Sequence, residues 1–202
     1  MDEAQCTATP EQCQPRGQFS TALSDGASAT VADDFTPAED GNITSVCLWG
    51  AYRDAEGNDC LHNEDDAFEV RYYANVNGLP SSLLAGPFLQ SDATLSVTGP
   101  TLTDELINDI HREYAITMTH EAVPVLAGGC YWLEALNRRN NGCHWHWEIA
   151  EYAPLSYSIV DGDDGGSTDG YSFDELKSGN MAYCLDGSLG NATSCRPIPE
   201  HD

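Results

Sequence analysis

The sequence predicts an all-β protein: an antiparallel β-sandwich of the jelly-roll kind, with disulfide-clipped loops and at most one short helix. Two observations support this prediction. Short segments in which apolar and polar residues alternate recur along the chain, as they do in half-buried strands. Clusters of Gly, Asn, Asp and Pro separate these segments, as expected for turns. A chain of 202 residues can bury one core of this kind, so we expect one main domain.

The predicted elements occupy residues 18–190, between an irregular N-terminal arm at residues 1–17 and a C-terminal tail at residues 191–202. Turn-forming clusters such as AEGND, NVNGLPSS and NRRNNG separate the strands. In chain order, the candidate strands are ATVADDFT, ITSVCLWGAY, AFEVRYYAN, LLAGPFLQ, EYAITMT, CYWLEALN, CHWHWEIA and MAYCLD.

One segment has helical character. TDELINDI, at residues 103–110, begins with a Thr or Asp cap and places Leu106, Ile107 and Ile110 at helical spacing. A single short helix among so many strands argues against βαβ units and a parallel sheet. The antiparallel sandwich therefore remains the expected architecture, with residues 103–110 as its one predicted helix.

Charge is the most extreme property of the chain. Its 33 Asp and Glu residues outnumber its 8 Lys and Arg residues, which gives a formal net charge of −25 at pH 7. Such a surface repels nucleic acid and anionic lipid, because both are bound through clustered Lys and Arg. The excess of negative charge suggests that the protein works in a salty medium or binds divalent cations, because both reduce the repulsion between its carboxylates. No signal peptide or membrane span is visible, so we expect a mature form without its targeting segment.

Cysteine content indicates the compartment. Successive cysteines form four neighbouring pairs separated by 7, 13, 13 and 11 residues, which favours four short clips, each joining the two members of a pair, among the many connectivities that eight cysteines allow. Zinc-ribbon spacing is absent. We therefore expect disulfides and an oxidising location, secreted or at the cell surface. The eight residues are Cys6, Cys13, Cys47, Cys60, Cys130, Cys143, Cys184 and Cys195.

The predicted strand CHWHWEIA has two different faces. Alternation places His144, His146 and Glu148 on one face and Trp145 and Trp147 on the other. We expect the tryptophans to face the core, because one face must cover it and the polar face is the poorer candidate; the alternative is an exposed aromatic platform that stacks on sugar rings. Two histidines and a carboxylate on one strand can bind zinc or copper. The polar face is therefore a candidate transition-metal site, with an ordinary solvated face as the alternative.

The acidic loop DGDDGGSTDG, at residues 161–170, is a candidate calcium site. Asp161, Asp163 and Asp169 supply hard oxygen ligands, and the glycines allow the tight curvature that turns backbone carbonyls inward. The loop does not follow the EF-hand pattern. The alternative interpretation is a solvated loop without an ion.

Signals for ligand binding and catalysis are weaker. Tyr73, Trp49 and Tyr152 are candidate aromatic contacts for a sugar ring. No GxSxG elbow or HExxH helix is present. Glu134 and Glu148, expected on adjacent strands, could act as the acid and base of a glycoside hydrolase. With 33 acidic residues, however, some carboxylate pair at a suitable gap is expected by chance.

The order of segments resembles secreted and cell-surface β-sandwich domains of environmental bacteria, many of them uncharacterised. The resemblance covers most of residues 30–186 and implies a secreted β-sandwich, but no particular activity. The cysteine clips and the acidic loop depart from plainer members of that group. The matching words are VADDFT (31–36), ITSVCLWGAY (43–52), FEVRYYANVNGLPSSLLAG (68–86), PVLAGGCYWLEALN (124–137) and WHWE (145–148).

We therefore expect a secreted, non-catalytic module of the cell exterior with a binding or structural role. The expected ligand is a glycan or a neighbouring extracellular protein, in surface assembly for example, and calcium is expected to stabilise the loops. Self-association stays open. Two alternatives remain: a transition-metal-binding protein that uses the histidine face, and a glycan-active hydrolase.

Overall fold

The chain folds into two antiparallel sheets packed face to face, which confirms the predicted sandwich. The computed structural model describes residues 13–14, 20–25, 29–61, 66–138, 142–150, 157–161, 175–178 and 180–187. Apart from two residues, the predicted arm and tail lie outside these ranges. The strands are β1 (Cys13–Gln14), β2 (Ser20–Leu23), β3 (Thr30–Phe35), β4 (Gly41–Arg53), β5 (Phe68–Val76), β6 (Leu79–Leu89), β7 (Leu95–Ile107), β8 (His111–Val125), β9 (Tyr131–Asn137), β10 (His144–Ile149), β11 (Tyr157–Asp161), β12 (Glu175–Ser178) and β13 (Tyr183–Gly187).

Sheet 1 is built around the long strand β4. β8 pairs with one side of β4, and β7 lies outside β8. On the other side β13 and β10 pair with successive parts of β4, and they are followed outward by β1 and β2. Sheet 2 has the order β12-β11-β3-β9-β5-β6. Within the described chain, β6 and β7 each pair on one side only, so two consecutive strands leave two free edges.

The core lies between the sheets and is rich in aromatic rings. Trp145 and Trp147 of β10 are fully buried, as predicted. The Trp145 ring lies 5.3 Å from Tyr52 and 5.7 Å from Phe68, and the Trp147 ring lies 5.9 Å from Tyr183, measured between centroids. Edge-to-face pairs of this kind add about 0.5–1.5 kcal/mol each beyond the burial of their area. The tryptophan face of β10 thus anchors sheet 1 to the core.

The predicted helix at residues 103–110 is wrong. Residues up to Ile107 continue β7, and Ile107 pairs with His111 across a tight turn. Asn108 and Asp109 have φ values of 55° and 60°, the left-handed pair at the centre of a type I′ turn, in which the Ile110 N–H donates to the Ile107 carbonyl at 3.3 Å. So short a helix has little stability of its own. In the hairpin, the backbone at the end of β7 pairs with β8 instead. No helix in the described residues is long and apolar enough to cross a membrane.

The predicted pairing of neighbouring cysteines is also wrong where the structure tests it. Cys60 is bonded to Cys143, 83 residues further along the chain, and not to Cys47. Antiparallel pairing of β10 with the end of β4 brings Cys143 to the loop that follows β4. Cys47, Cys130 and Cys184 are disulfide-bonded as well. Cys6 and Cys195 lie outside the described residues, as does the side chain of Cys13.

Candidate functional site

The polar face of β10 points away from the core but is not a solvated face. Glu148 is fully buried, the side chain of His144 is only 15% exposed, and His146 is partly buried. The neighbouring residue Ala51 of β4 is also fully buried on this side. Alternation in the sequence therefore assigned the correct face, but the expectation of a solvated triplet is wrong.

Two histidine–aspartate pairs lie on this face. His144 donates through Nδ1 to Asp25 Oδ2 at 2.9 Å, and His111 donates through Nδ1 to Asp59 Oδ1 at 2.7 Å. A carboxylate bound to Nδ1 fixes the ring and leaves Nε2 as the free nitrogen, which is the arrangement common behind metal-binding histidines. Both rings are therefore oriented by neighbouring strands and loops.

The positive charge of Arg53 disfavours the binding of a metal ion beside His144 and His146. It is the register partner of His144, and its guanidinium donates to Thr21 Oγ1 and to the carbonyl of Gly57, both at 3.2 Å. Burial, followed by the nearby charges of Arg53 and His144, lowers the pKa of His146 to about 4. Among the described residues no group of three or more His, Cys, Asp or Glu side chains could hold a metal ion. Zinc or copper binding at His144, His146 and Glu148 stays a prediction.

A second polar cluster lies on the outward face of sheet 2. Tyr73 donates to Glu134 Oε2 at 2.5 Å, and Arg71 lies 3.6 Å from the same oxygen. Arg71 and Arg138 both form ion pairs with Glu69. The two carboxylates are each 1% exposed. Sequence inspection did not identify this network, although the register Arg71 to Glu134 places opposite charges on adjacent strands.

Glu134 is a candidate acid–base group in this network. Burial raises its pKa to about 7, while Arg71 and the Tyr73 hydroxyl act in the opposite direction. The carboxyl could therefore exchange a proton near neutral pH. The hydrolase pair of Glu134 and Glu148 is wrong, however, because β9 and β10 belong to different sheets and both side chains point outward, on opposite sides of the sandwich.

The candidate sugar-binding aromatics are not brought together. Tyr73 is buried on the outward face of sheet 2, and Trp49 is partly buried on the outward face of sheet 1. Tyr152 lies outside the described residues. Among the side chains that the structure describes, every Trp, Tyr and Phe is buried or partly buried. A flat aromatic platform is therefore absent from that part of the surface.

The candidate calcium loop lies largely outside the described chain. Asp161 is the last residue of β11, and its backbone pairs with Thr30 of β3. Its side chain, together with Asp163 and Asp169, lies outside the described residues. Calcium binding at this loop stays a prediction.

Most of the exposed large apolar side chains of the described residues lie on the edge strands β6 and β7 or directly beside them in the chain. Seven of the nine large apolar side chains that are exposed in the described chain lie between residues 76 and 110. We call these seven residues the apolar rim. Exposed apolar groups that collect in one region typically mark an interaction surface. The rim consists of Val76, Leu79, Leu83, Leu84, Leu102, Leu106 and Ile110.

The β6 part of the rim carries no charge. Residues 74–90 contain no Asp, Glu, Lys or Arg, whereas a composition of 20% charged residues predicts about three in a stretch of this length. Soluble proteins protect a free edge strand with charged side chains, prolines or bulges. β6 has two prolines, Pro80 and Pro87, and register shifts against β5, but no charge. This missing charge was the signal in the sequence that could have identified the rim.

The fold and the rim define an acidic, disulfide-bonded antiparallel β-sandwich with an open apolar edge. Comparisons with protein-family models, with curated proteins and with solved structures find no match to the chain.

Proposed function

We propose that the chain is an extracellular, non-catalytic binding module that holds a protein partner through the apolar rim. The observation that supports it is the concentration of exposed apolar side chains on the edge strands β6 and β7, which carry five of the seven rim residues, and on their chain neighbours Val76 and Ile110. Edge strands can accept a further strand through their backbone groups, and their side chains then select the partner. The disulfide between Cys60 and Cys143 is compatible with an oxidising, extracellular location.

A protein partner fits this surface better than a glycan. Protein-binding surfaces are built from clustered apolar side chains, and the rim offers leucine, isoleucine and valine. Sugar rings instead stack on exposed aromatic rings, and the described side chains include no exposed Trp, Tyr or Phe.

A non-catalytic role fits the burial of the polar clusters. Glu134 has a pKa near 7, but it is 1% exposed and accepts a hydrogen bond from Tyr73. Glu148 is fully buried. A general acid or base must come within hydrogen-bond reach of its substrate. The two carboxyls are better explained as parts of the folded framework.

Site-specific photo-crosslinking in cells that naturally produce the chain tests this proposal. A benzophenone amino acid replaces Leu83, Leu106 or, as a control, the exposed Glu39 between β3 and β4. We expect protein adducts from Leu83 and Leu106 but not from Glu39. Absence of adducts at the rim, or equal adducts at Glu39, would contradict the proposal. Binding of the purified chain to a glycan array would favour a sugar ligand instead.

A further inference from the structure

The free edge of β6 contains a proline-free segment that could accept another strand. Its pairing with β5 shifts register around Tyr72 and Tyr73. Residues 81–86 lie between Pro80 and Pro87, so all six keep their backbone N–H groups. On one side the strand pairs with β5. The four residues from Ser81 to Leu84 are all exposed. A strand lying along this edge would find apolar side chains and backbone groups that point away from β5.

The charge of the chain restricts what can occupy this edge. A cationic partner would be attracted to acidic surfaces, and on the rim those belong to β7 and its turn, which carry Asp104, Glu105 and Asp109. β6 has no charge to attract such a partner. Two copies of this chain, each with a net charge of −25, repel each other over most approaches. Residues 74–90 are a stretch along which two copies could meet without facing like charges.

We propose that β6 pairs with β6 of a second copy in an antiparallel, two-fold arrangement. This inference rests on the proposed function and names the partner of the β6 edge. Centring the pair on residues 81–86 places its axis between Leu83 and Leu84, so that Leu83 lies opposite the partner's Leu84. A two-fold contact uses the same patch on both copies, which an uncharged patch tolerates. Sheet 2 then continues from one copy into the other.

The salt dependence of dimer formation follows from the same negative charges. The screening length falls from about 10 Å at 0.1 M salt to about 3 Å at 1 M. Repulsion between the acidic surfaces that flank the contact therefore weakens, while the apolar contact at the axis remains. We expect the dimer dissociation constant to fall by about tenfold or more between these salt concentrations. Contacts held by opposite charges would instead weaken with salt.

Sedimentation velocity of the full chain, from micromolar to several hundred micromolar at 0.1 M and 1 M NaCl, tests the pairing. Leu83→Asp is compared with Leu126→Asp, which adds the same charge at an exposed leucine outside the rim, 46% exposed against 65%. We expect a dimer in the parent chain and in Leu126→Asp, and a monomer in Leu83→Asp. Thermal melting checks that both variants fold. A parent chain that stays monomeric in 1 M salt, or equal loss of dimer in both variants, overturns the proposal.

Hydrogen exchange measures the protection of individual backbone amides, which a general loss of solubility would not change. Amides of residues 81–86 are expected to exchange more slowly as the concentration of the parent chain rises, and those of β7 are expected to stay unchanged. Unchanged exchange at residues 81–86 in a confirmed dimer would place the contact elsewhere. Cross-links in cells from Leu83 to other proteins, with a monomeric purified chain, would refute the pairing and leave the proposed function standing.

Discussion

Replacing Glu134 by Gln should change how the stability of the protein depends on pH. The carboxyl pKa rises from 4.5 to about 7 on folding, mainly because the group is buried. A raised pKa means that the folded state binds the proton more tightly. The resulting stabilisation is complete below about pH 4.5 and is lost as the pH rises through about 7. The shift corresponds to about 3 kcal/mol. Glutamine keeps an acceptor for Tyr73 but cannot titrate.

Urea unfolding with the disulfides intact, at half-unit steps between pH 4.5 and 8, measures this effect. The quantity to plot is the unfolding free energy of Glu134→Gln minus that of the parent chain, which removes the contributions of the other carboxyls. We expect this difference to increase with pH by about 3 kcal/mol. A difference that is flat across this range, or that decreases, would show that Glu134 is not held protonated by burial.

His146 serves as an internal control of the sign. Its pKa is lowered to about 4, mainly by burial, so its contribution is present above about pH 6.5 and is lost as the pH falls toward 4. The unfolding free energy of His146→Gln minus that of the parent chain should therefore increase as the pH falls. For Glu134→Gln the same difference increases as the pH rises. Slopes of the same sign in both variants would contradict the assignment of burial as the common cause.

Three further predictions concern the framework. Removing the Cys60–Cys143 bond in the Cys60→Ala, Cys143→Ala double variant should lower the unfolding free energy by up to about 4.5 kcal/mol in urea titrations, because the bond closes a loop across 83 residues; a loss below about 1 kcal/mol would show that the bond contributes little. Gly50→Ala should destabilise strongly in thermal melts, because its Cβ would meet the His146 carbonyl oxygen at 2.2 Å and the Trp145 ring at 2.6 Å, and an unchanged melting temperature would contradict this packing. Chelation should lower the melting temperature if Asp161, Asp163 and Asp169 bind calcium, and an identical melt with and without chelator removes that prediction.

The architecture and the orientation of β10 could be predicted from the sequence because both depend on local alternation. The burial of Trp145 and Trp147 follows from two simple conditions: side chains alternate along a strand with a period of two residues, and one face of the strand covers the core. The apolar spacing of residues 103–110 suits a short helix, and that spacing does not reveal the left-handed turn that Asn108 and Asp109 form. The start of β7 was missed as well, since Gly99 and Pro100 interrupt its alternation.

Long-range features could not be predicted in the same way. Loop-closure entropy rises only slowly with loop length, so spacing gave no strong preference for Cys60 to join Cys47 rather than Cys143. His144 forms a hydrogen bond with Asp25, and Glu134 forms one with Tyr73; in both pairs the two residues are distant in the chain. Nothing in the local pattern showed that both outward faces hold buried carboxylates.

The central claim is that the apolar rim is the surface through which this module binds. Its most direct test compares, in the cells that produce the chain, the fraction cross-linked from a photoreactive residue at Leu83 with the fraction cross-linked from the same residue at Glu39. We expect most captured protein to come from Leu83 and little to come from Glu39. Equal capture at both positions, or none at Leu83, would contradict it.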